Sequence, residues 1–325
     1  MGPEYLAADG ECCITMLDPK RTSSPSSEPS GHCGQQRMTS TSEQPCPRPP
    51  LTRDWCLAGK DGQTKSRQGA GSPSGVSCAT GQLIHRGAGA CDDWLVHVTI
   101  DARPQPLSVD PRETAVIAVD MQNDFGAQGG MFASNGLPID AARATIAPTS
   151  RVLDAARTAG MTIVYLKMEF ARDLSNLGGP KAPNREKHLG FGVGASNFLI
   201  EGTWNTEIVP ELAPQPGDVV ISKHRYSGFF QTELDHVLRE REIRNLVFVG
   251  WTTSVCVEST LRDAFFRDYR CLVLSDCTAE VVGSDLVRTN HEASLLVIEA
   301  LFGWVAESES VLRVLAQVSV PPAAR

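Results

Sequence analysis

The run Thr114-Ala115-Val116-Ile117-Ala118-Val119, closed by Asp120, decides how the chain is read. Its apolar residues follow one another without polar alternation, as in a strand buried on both faces. Runs of the same kind return downstream, at Met161-Thr162-Ile163-Val164-Tyr165-Leu166, Asp218-Val219-Val220-Ile221-Ser222, Asn245-Leu246-Val247-Phe248-Val249-Gly250 and Cys271-Leu272-Val273-Leu274-Ser275. Gly303-Trp304-Val305-Ala306 reads as a sixth, short strand. Between them the spacing predicts helices over Ile139–Ala159, Thr232–Glu240, Val255–Asp268, Ser284–Ala300 and Ser308–Gln317, the first stopped by Gly160. Apolar strands alternating with helices describe an α/β fold with a mostly parallel sheet covered on both faces.

Working outward, the first 100 residues obey different rules. They are rich in Ser, Gly, Pro, Thr and Gln, as in Gly69-Ala70-Gly71-Ser72-Pro73-Ser74-Gly75. Such a segment lacks the apolar clusters that offset the entropy of ordering. We therefore divide the chain into a low-complexity, disordered extension at 1–100 and a domain at 101–325. A later translation start, at Met38 or beyond, and a small cysteine-rich binding module stay open for the extension. Of the ten cysteines, seven lie before residue 92, without repeated C-x-x-C spacing. Neither a zinc site nor a disulfide framework is expected there.

The net charge of −8 speaks against coating nucleic acid or an anionic membrane. No apolar run is long enough for a spanning helix. The N-terminus shows no signal-peptide core, and its acidic residues fit a transit peptide poorly. A cytoplasmic address is the expectation. The stretch from Phe170 to Glu211 is long and rich in Gly, Pro and Asn, and such an insertion in a compact domain points to function.

In open parallel sheets ligands bind beyond the carboxyl ends of the strands. Three chemically useful side chains fall at such ends: Asp120, Lys223 and, one turn further, Cys256. A thiol beside a helix N-terminus capped by Thr253 or Ser254 is expected to have a lowered pKa. A carboxylate beside a lysine stays ionised and can accept the thiol proton. Cys271 and Cys277 read as buried structural residues, and His188, His224 and His291 as surface or satisfied structural ones.

The segments Asp120-Met121-Gln122-Asn123-Asp124-Phe125, Lys223 with Arg225-Tyr226-Ser227, and Gly250-Trp251-Thr252-Thr253-Ser254-Val255-Cys256-Val257 resemble the three signatures of the isochorismatase-like cysteine hydrolases. The resemblance covers about residues 107 to 318. Within that superfamily the chain is most similar to the ureidoacrylate amidohydrolases, through Arg225-Tyr226-Ser227-Gly228-Phe229-Phe230, Val255 to Asp263 and Phe302-Gly303-Trp304-Val305. The resemblance implies a three-layer α/β/α sandwich. It implies Asp120 as base, Lys223 as electrostatic partner and Cys256 as nucleophile, with the amides of Thr252 and Cys256 as oxyanion hole beside a cis peptide at Trp251–Thr252. The activity it implies is cysteine-dependent hydrolysis of a C–N bond in a small ureido, carbamoyl or amide substrate. A thioester forms on the way, and ammonia or carbamate is released. It further implies a homo-oligomer, dimer or tetramer, with a small-molecule substrate and no nucleic-acid or membrane partner.

Two departures are visible. Where nicotinamidases of the superfamily carry an Asp-x-His metal site, this chain has Lys167-Met168-Glu169-Phe170, so neither metal nor cofactor is expected. Met168 and Phe170 also replace an Asn-x-Trp substrate wall. Asn123, Phe125, Met168, Phe170, Tyr226 and Trp251 are the candidate substrate contacts. Another C–N hydrolase of the superfamily, acting on N-carbamoylsarcosine, biuret or a lactam, stays open. So does a non-catalytic flavodoxin-like binding module, although no Gly-rich phosphate loop follows the first strand.

Overall fold

The structure is a computed structural model and describes residues 97–318. The expectations for residues 1–96 lie outside the described residues. A hairpin comes first: β1 (Val98–Ile100) pairs antiparallel with β2 (Leu107–Val109), and Val98, Ile100, Leu107 and Val109 face inward. This strand begins before residue 101 and was not read from the sequence, since three residues give too short a pattern.

β3 (Thr114–Val119) is buried at every residue. Two short helices follow, α1 (Asn123–Gly126) and α2 (Met131–Ser134). The helix expected over Ile139–Ala159 is interrupted, giving α3 (Asp140–Ala144) and α4 (Ile146–Thr158). Between them the Thr145 hydroxyl donates to the Ala142 carbonyl at 2.7 Å and accepts from Trp251 Nε1 at 2.9 Å. Next come β4 (Thr162–Met168), α5 (Pro183–Gly190) within the long insertion, β5 (Val219–Lys223), α6 (Leu234–Glu240) and β6 (Asn245–Trp251). The helix expected from Val255 opens as a π-helical turn, Thr253–Val257, and continues as α7 (Glu258–Phe265).

β7 (Arg270–Ala279) runs past the Ser275 at which the apolar pattern stops. Its register against β6 jumps, Phe248 facing Val273 but Gly250 facing Thr278. The next helix starts at Asn290 rather than Ser284, where Thr289 and Glu292 cap one another reciprocally. This α8 (Asn290–Val297) passes into a second π turn, Ile298–Phe302, before β8 (Trp304–Ala306) and α9 (Ser308–Leu315).

The sheet order is β5-β4-β3-β6-β7-β8, with every neighbouring pair parallel. One face packs on α4 and α9 through Val152, Leu153, Ala156, Val311 and Leu315. The other packs on α6 and α7 through Leu234, Leu238, Leu261 and Ala264. These are the three layers of the expected α/β/α sandwich. Each fully buried Val, Leu or Ile contributes about 1.5–3 kcal/mol. The chain winds outward from β3 through β4 to β5, then returns to the other side of β3 as β6. That reversal opens a crevice beyond β3 and β6, the usual ligand position in such sheets. Among the described residues no helix is long and apolar enough to cross a membrane.

Strands β3 and β6 approach closely at the crevice. Gly250, opposite Val119, has φ +119°, and a Cβ there would lie 2.1 Å from the Val119 carbonyl oxygen. Gly250→Ala is therefore expected to cost about 1–3 kcal/mol. Urea unfolding would report this as a lower midpoint at unchanged slope.

Candidate active site

At the carboxyl edge of β3 the chain turns sharply at Asp120, with φ +51°. An Asp tolerates this left-handed conformation better than most residues. Its N–H still donates to the Leu166 carbonyl at 2.9 Å, holding the residue on the edge of the sheet. The carboxylate is 1% exposed. Gln122, two residues on, staples the edge: its side-chain amide donates to the Met168 and Thr206 carbonyls and accepts from Met168 N.

Lys223 ends β5, two strands away across β4. Two strand spacings amount to about 10 Å, a gap that a long lysine stem can cross. Burial alternates along β5, with Ile221 and Lys223 buried and Val220 and Ser222 exposed. The lysine therefore enters the interior, fully buried, and its Nζ lies 2.8 Å from Asp120 Oδ2. Nζ also contacts Met168 Sδ at 3.5 Å and donates to the Arg225 carbonyl at 3.2 Å. The ammonium is hydrogen-bonded to Cys256 as well, so its three N–H groups are shared among four neighbours.

Cys256 sits in the π turn after β6, 6% exposed. The Trp251–Thr252 peptide is cis, where the resemblance placed it. The Thr252 carbonyl accepts from both Val255 N and Val257 N at 3.2 Å, which winds the turn around the thiol. Asp120, Lys223 and Cys256 thus meet in the crevice, and each shifts the protonation of the others. Asp120 Oδ1 is buried and engaged by neither Lys223 nor any other nitrogen or oxygen donor, and the Cys256 thiol is the further side chain hydrogen-bonded to this carboxylate.

The electrostatics correct one expectation. Burial, followed by the Asp120 charge, pushes the Cys256 thiol well above its usual value, and Lys223 only partly opposes this. Proximity to a helix N-terminus does not prevail, because Asp120 and Lys223 already neutralise each other and a thiolate would add an uncompensated buried charge. Burial also raises Asp120, with Lys223 limiting the rise. Burial, the largest single influence, disfavours the Lys223 ammonium, yet Asp120 and Cys256 together lift the lysine above its ordinary value. The resting arrangement is a neutral thiol beside a buried ion pair.

Two residues escaped the sequence analysis. Glu280, 4% exposed, follows the extended end of β7. Its carboxylate accepts from Ser254 N at 2.8 Å and from the Ser254 hydroxyl, and from Val281 N and Val282 N at 2.9 Å. It thereby braces the nucleophile turn, and Thr253 adds a 2.9 Å contact with His291 Nδ1. The signal was a carboxylate at a strand end, hidden because the strand outlasts its apolar pattern. His188 was read as a surface or satisfied residue, but it is 5% exposed with Nε2 unpartnered. It stacks on Tyr226 and meets Phe170 edge-on.

The candidate contacts fall in distinct places. Met168 and Phe170 are buried at the end of β4 and just beyond it, Met168 against Lys223. Tyr226 is partly exposed beside His188. Phe125 packs on Phe132, and Trp251 is buried with its indole N–H on Thr145. Asn123 Nδ2 donates to the Trp204 carbonyl at 2.8 Å, tying α1 to the insertion. Among the described residues no three His, Cys, Asp or Glu side chains gather into a metal-holding group.

Residues 114–310 match the isochorismatase domain family, a span running from the first residue of β3 into α9. The ureidoacrylate amidohydrolase RutB of Agrobacterium fabrum is 43% identical over 228 residues, covering 68% of this chain and 98% of that protein. The protein of the same name in Variovorax paradoxus is 43% identical over 220 residues, covering 66% of this chain and 86% of that one. Among solved structures, a cysteine hydrolase from Pseudomonas syringae pv. phaseolicola aligns with a TM-score of 0.57 at 32% identity, over 65% of this chain and 96% of that one.

Lys223→Met leaves the Asp120 carboxylate buried and unpaired, with an expected loss of about 3–5 kcal/mol. The loss shrinks at acid pH, where Asp120 takes up a proton. Adding Asp120→Asn should restore most of the stability. A double-mutant cycle by denaturant unfolding checks both statements.

Proposed function

This chain belongs to the isochorismatase family, and on that premise we propose that it is a cysteine-dependent amidohydrolase cleaving a C–N bond in a small ureido or carbamoyl compound of the ureidoacrylate type. The observation that carries the reading is the convergence of Asp120, Lys223 and Cys256 from three separate strand ends, with Asp120 and Lys223 paired at 2.8 Å. A base, a cation that keeps it charged and a nucleophile in one crevice suit acyl transfer.

The thiol is neutral at rest, so attack begins with proton transfer. The buried Asp120 carboxylate, hydrogen-bonded to the thiol, takes the Cys256 proton as the sulfur adds to the substrate carbonyl carbon. Charge then develops on the carbonyl oxygen, which the amides of Thr252 and Cys256 hold. Asp120 delivers its proton to the leaving nitrogen, the C–N bond breaks, and a thioester remains on Cys256. Asp120 next takes a proton from water, whose oxygen attacks the thioester. The C–S bond breaks, sulfur recovers its proton, and carbamate or another acid leaves. Lys223 keeps its charge throughout and positions Asp120.

Met168 and Phe170, both buried, make the wall beyond β4 apolar, the departure from an Asn-x-Trp pair already visible in the sequence. This favours, as a second reading, a related C–N hydrolase acting on N-carbamoylsarcosine, biuret or a lactam.

Cys256→Ala is expected to lower product release by at least about a thousandfold while leaving the unfolding midpoint within the range of a mild substitution. The assay compares ureidoacrylate, other carbamoyl compounds, nicotinamide and simple amides. Full activity in the variant would remove the mechanism. The base must be unprotonated to act, and burial raises Asp120. kcat/KM should therefore climb with pH through a midpoint above the ordinary carboxyl value of 3.8. A pH–rate profile measures that limb.

A further inference from the structure

Helix α5 carries His188 from the insertion into the wall of the crevice. Its ring is fixed on two sides, stacked on Tyr226 with centroids 5.2 Å apart and edge-on to Phe170 at 5.2 Å. Both neighbours belong to the site. Tyr226 lies just after Lys223, and its phenol responds, after burial, to charge on Cys256 and Lys223. Phe170 lies just after Met168, which touches Lys223 Nζ.

The hydrogen on this ring can be placed. His188 Nδ1 is 2.8 Å from the Asn184 carbonyl oxygen. A carbonyl oxygen only accepts, so Nδ1 is the donor. Burial, then the cations Arg225 and Lys223, hold the imidazole below the usual histidine range. A neutral ring protonated on Nδ1 presents a lone pair at Nε2. That lone pair is buried and meets no donor. Buried acceptors in folded proteins almost always have a partner, and an exception calls for a reason.

Neighbouring side chains are already engaged. Lys223 spends its donors on Asp120, Met168, Arg225 and Cys256. The Gln122 amide is divided between Met168 and Thr206, and Asn123 Nδ2 goes to Trp204. His188 Nε2 is thus a rigid, unsatisfied acceptor on a ring held by Tyr226 and Phe170 and within the field of Lys223. A carboxylate would be repelled by a lone pair, whereas an N–H would be held. In a ureido or carbamoyl group the carbonyl faces oxyanion donors and the N–H groups face elsewhere.

We propose that His188 is a substrate-binding residue whose Nε2 accepts a hydrogen bond from a ureido or carbamoyl N–H, selecting substrates with such a donor beside the scissile carbonyl. This rests on the amidohydrolase reading and adds the group that recognises the nitrogen side of the substrate. A site built to accept such a bond discriminates strongly, because an analogue without the donor leaves the acceptor unpaired.

The test titrates the full-length Cys256→Ala protein, labelled with 15N-histidine, with ureidoacrylate. The His188 Nε2 resonance, assigned by its loss in His188→Phe or His188→Gln, should start at the position of an unprotonated nitrogen and move upfield on binding. His188→Phe keeps the ring contacts but removes the acceptor. It should weaken binding about tenfold, and His188→Gln should recover part of that loss. In the Cys256-containing enzyme the same change should raise KM about tenfold, with kcat within about threefold. A purely structural role would lower stability without moving Nε2.

A protonated Nε2 in the free protein, no shift on binding, or unchanged affinity in His188→Phe would overturn the proposal. Failure of the Cys256→Ala protein to bind ureidoacrylate would also overturn it. Cysteine-dependent hydrolysis of another amide would then still leave the amidohydrolase reading standing. Conversely, His188-dependent binding without turnover by the native enzyme would keep this inference and remove that reading.

Discussion

The buried pair between Asp120 and Lys223 sets the conditions for everything else at the crevice. A carboxylate and an ammonium without water are each costly, and together they persist only because they meet at 2.8 Å. The pair spans β3, β4 and β5, so the order of three strands is a requirement of the chemistry. It also sets the thiol: with the lysine charge already matched, burial and the Asp120 charge hold the Cys256 proton in place. The close β3–β6 contact at Gly250 brings together the strand ends that carry Asp120 and Cys256.

The nucleophile turn shows how a short, irregular segment is made rigid. Thr252 gathers two amides onto its carbonyl, and Glu280 fixes Ser254 through two hydrogen bonds while two more, from the Val281 and Val282 amides, hold the carboxylate in place. Glu280 gets there because β7 takes up extra residues and continues past its apolar run. The insertion between β4 and β5 has the complementary task. It is tied to the segment after β3 through Asp124, which accepts from Leu199 N, Met131 N and Asn205, and it carries His188.

Much of this was legible in the linear chain. The strand positions followed from apolar runs, since a strand covered on both faces has no polar side to show. Asp120, Lys223 and Cys256 followed from asking what stands at strand ends. Element ends were less legible. Helix α8 begins at a reciprocal cap beyond the expected start, α3 and α4 divide where Thr145 bonds to Trp251, and β1 and β2 are too short to carry a period.

By itself the sequence determined the parallel α/β architecture, the family and the three residues whose types suit acyl transfer, because hydrophobic period and local motif are short-range properties. The tertiary structure alone decided their protonation. A thiol near a helix start is lowered by the local dipole, but burial and a neighbouring carboxylate raise it further, and both come from residues distant in the chain. It alone decided the surroundings of His188 and Glu280 as well. Whether a histidine is a surface residue or an unpartnered acceptor depends on what surrounds Nε2, and those neighbours come from β4, β5 and the insertion.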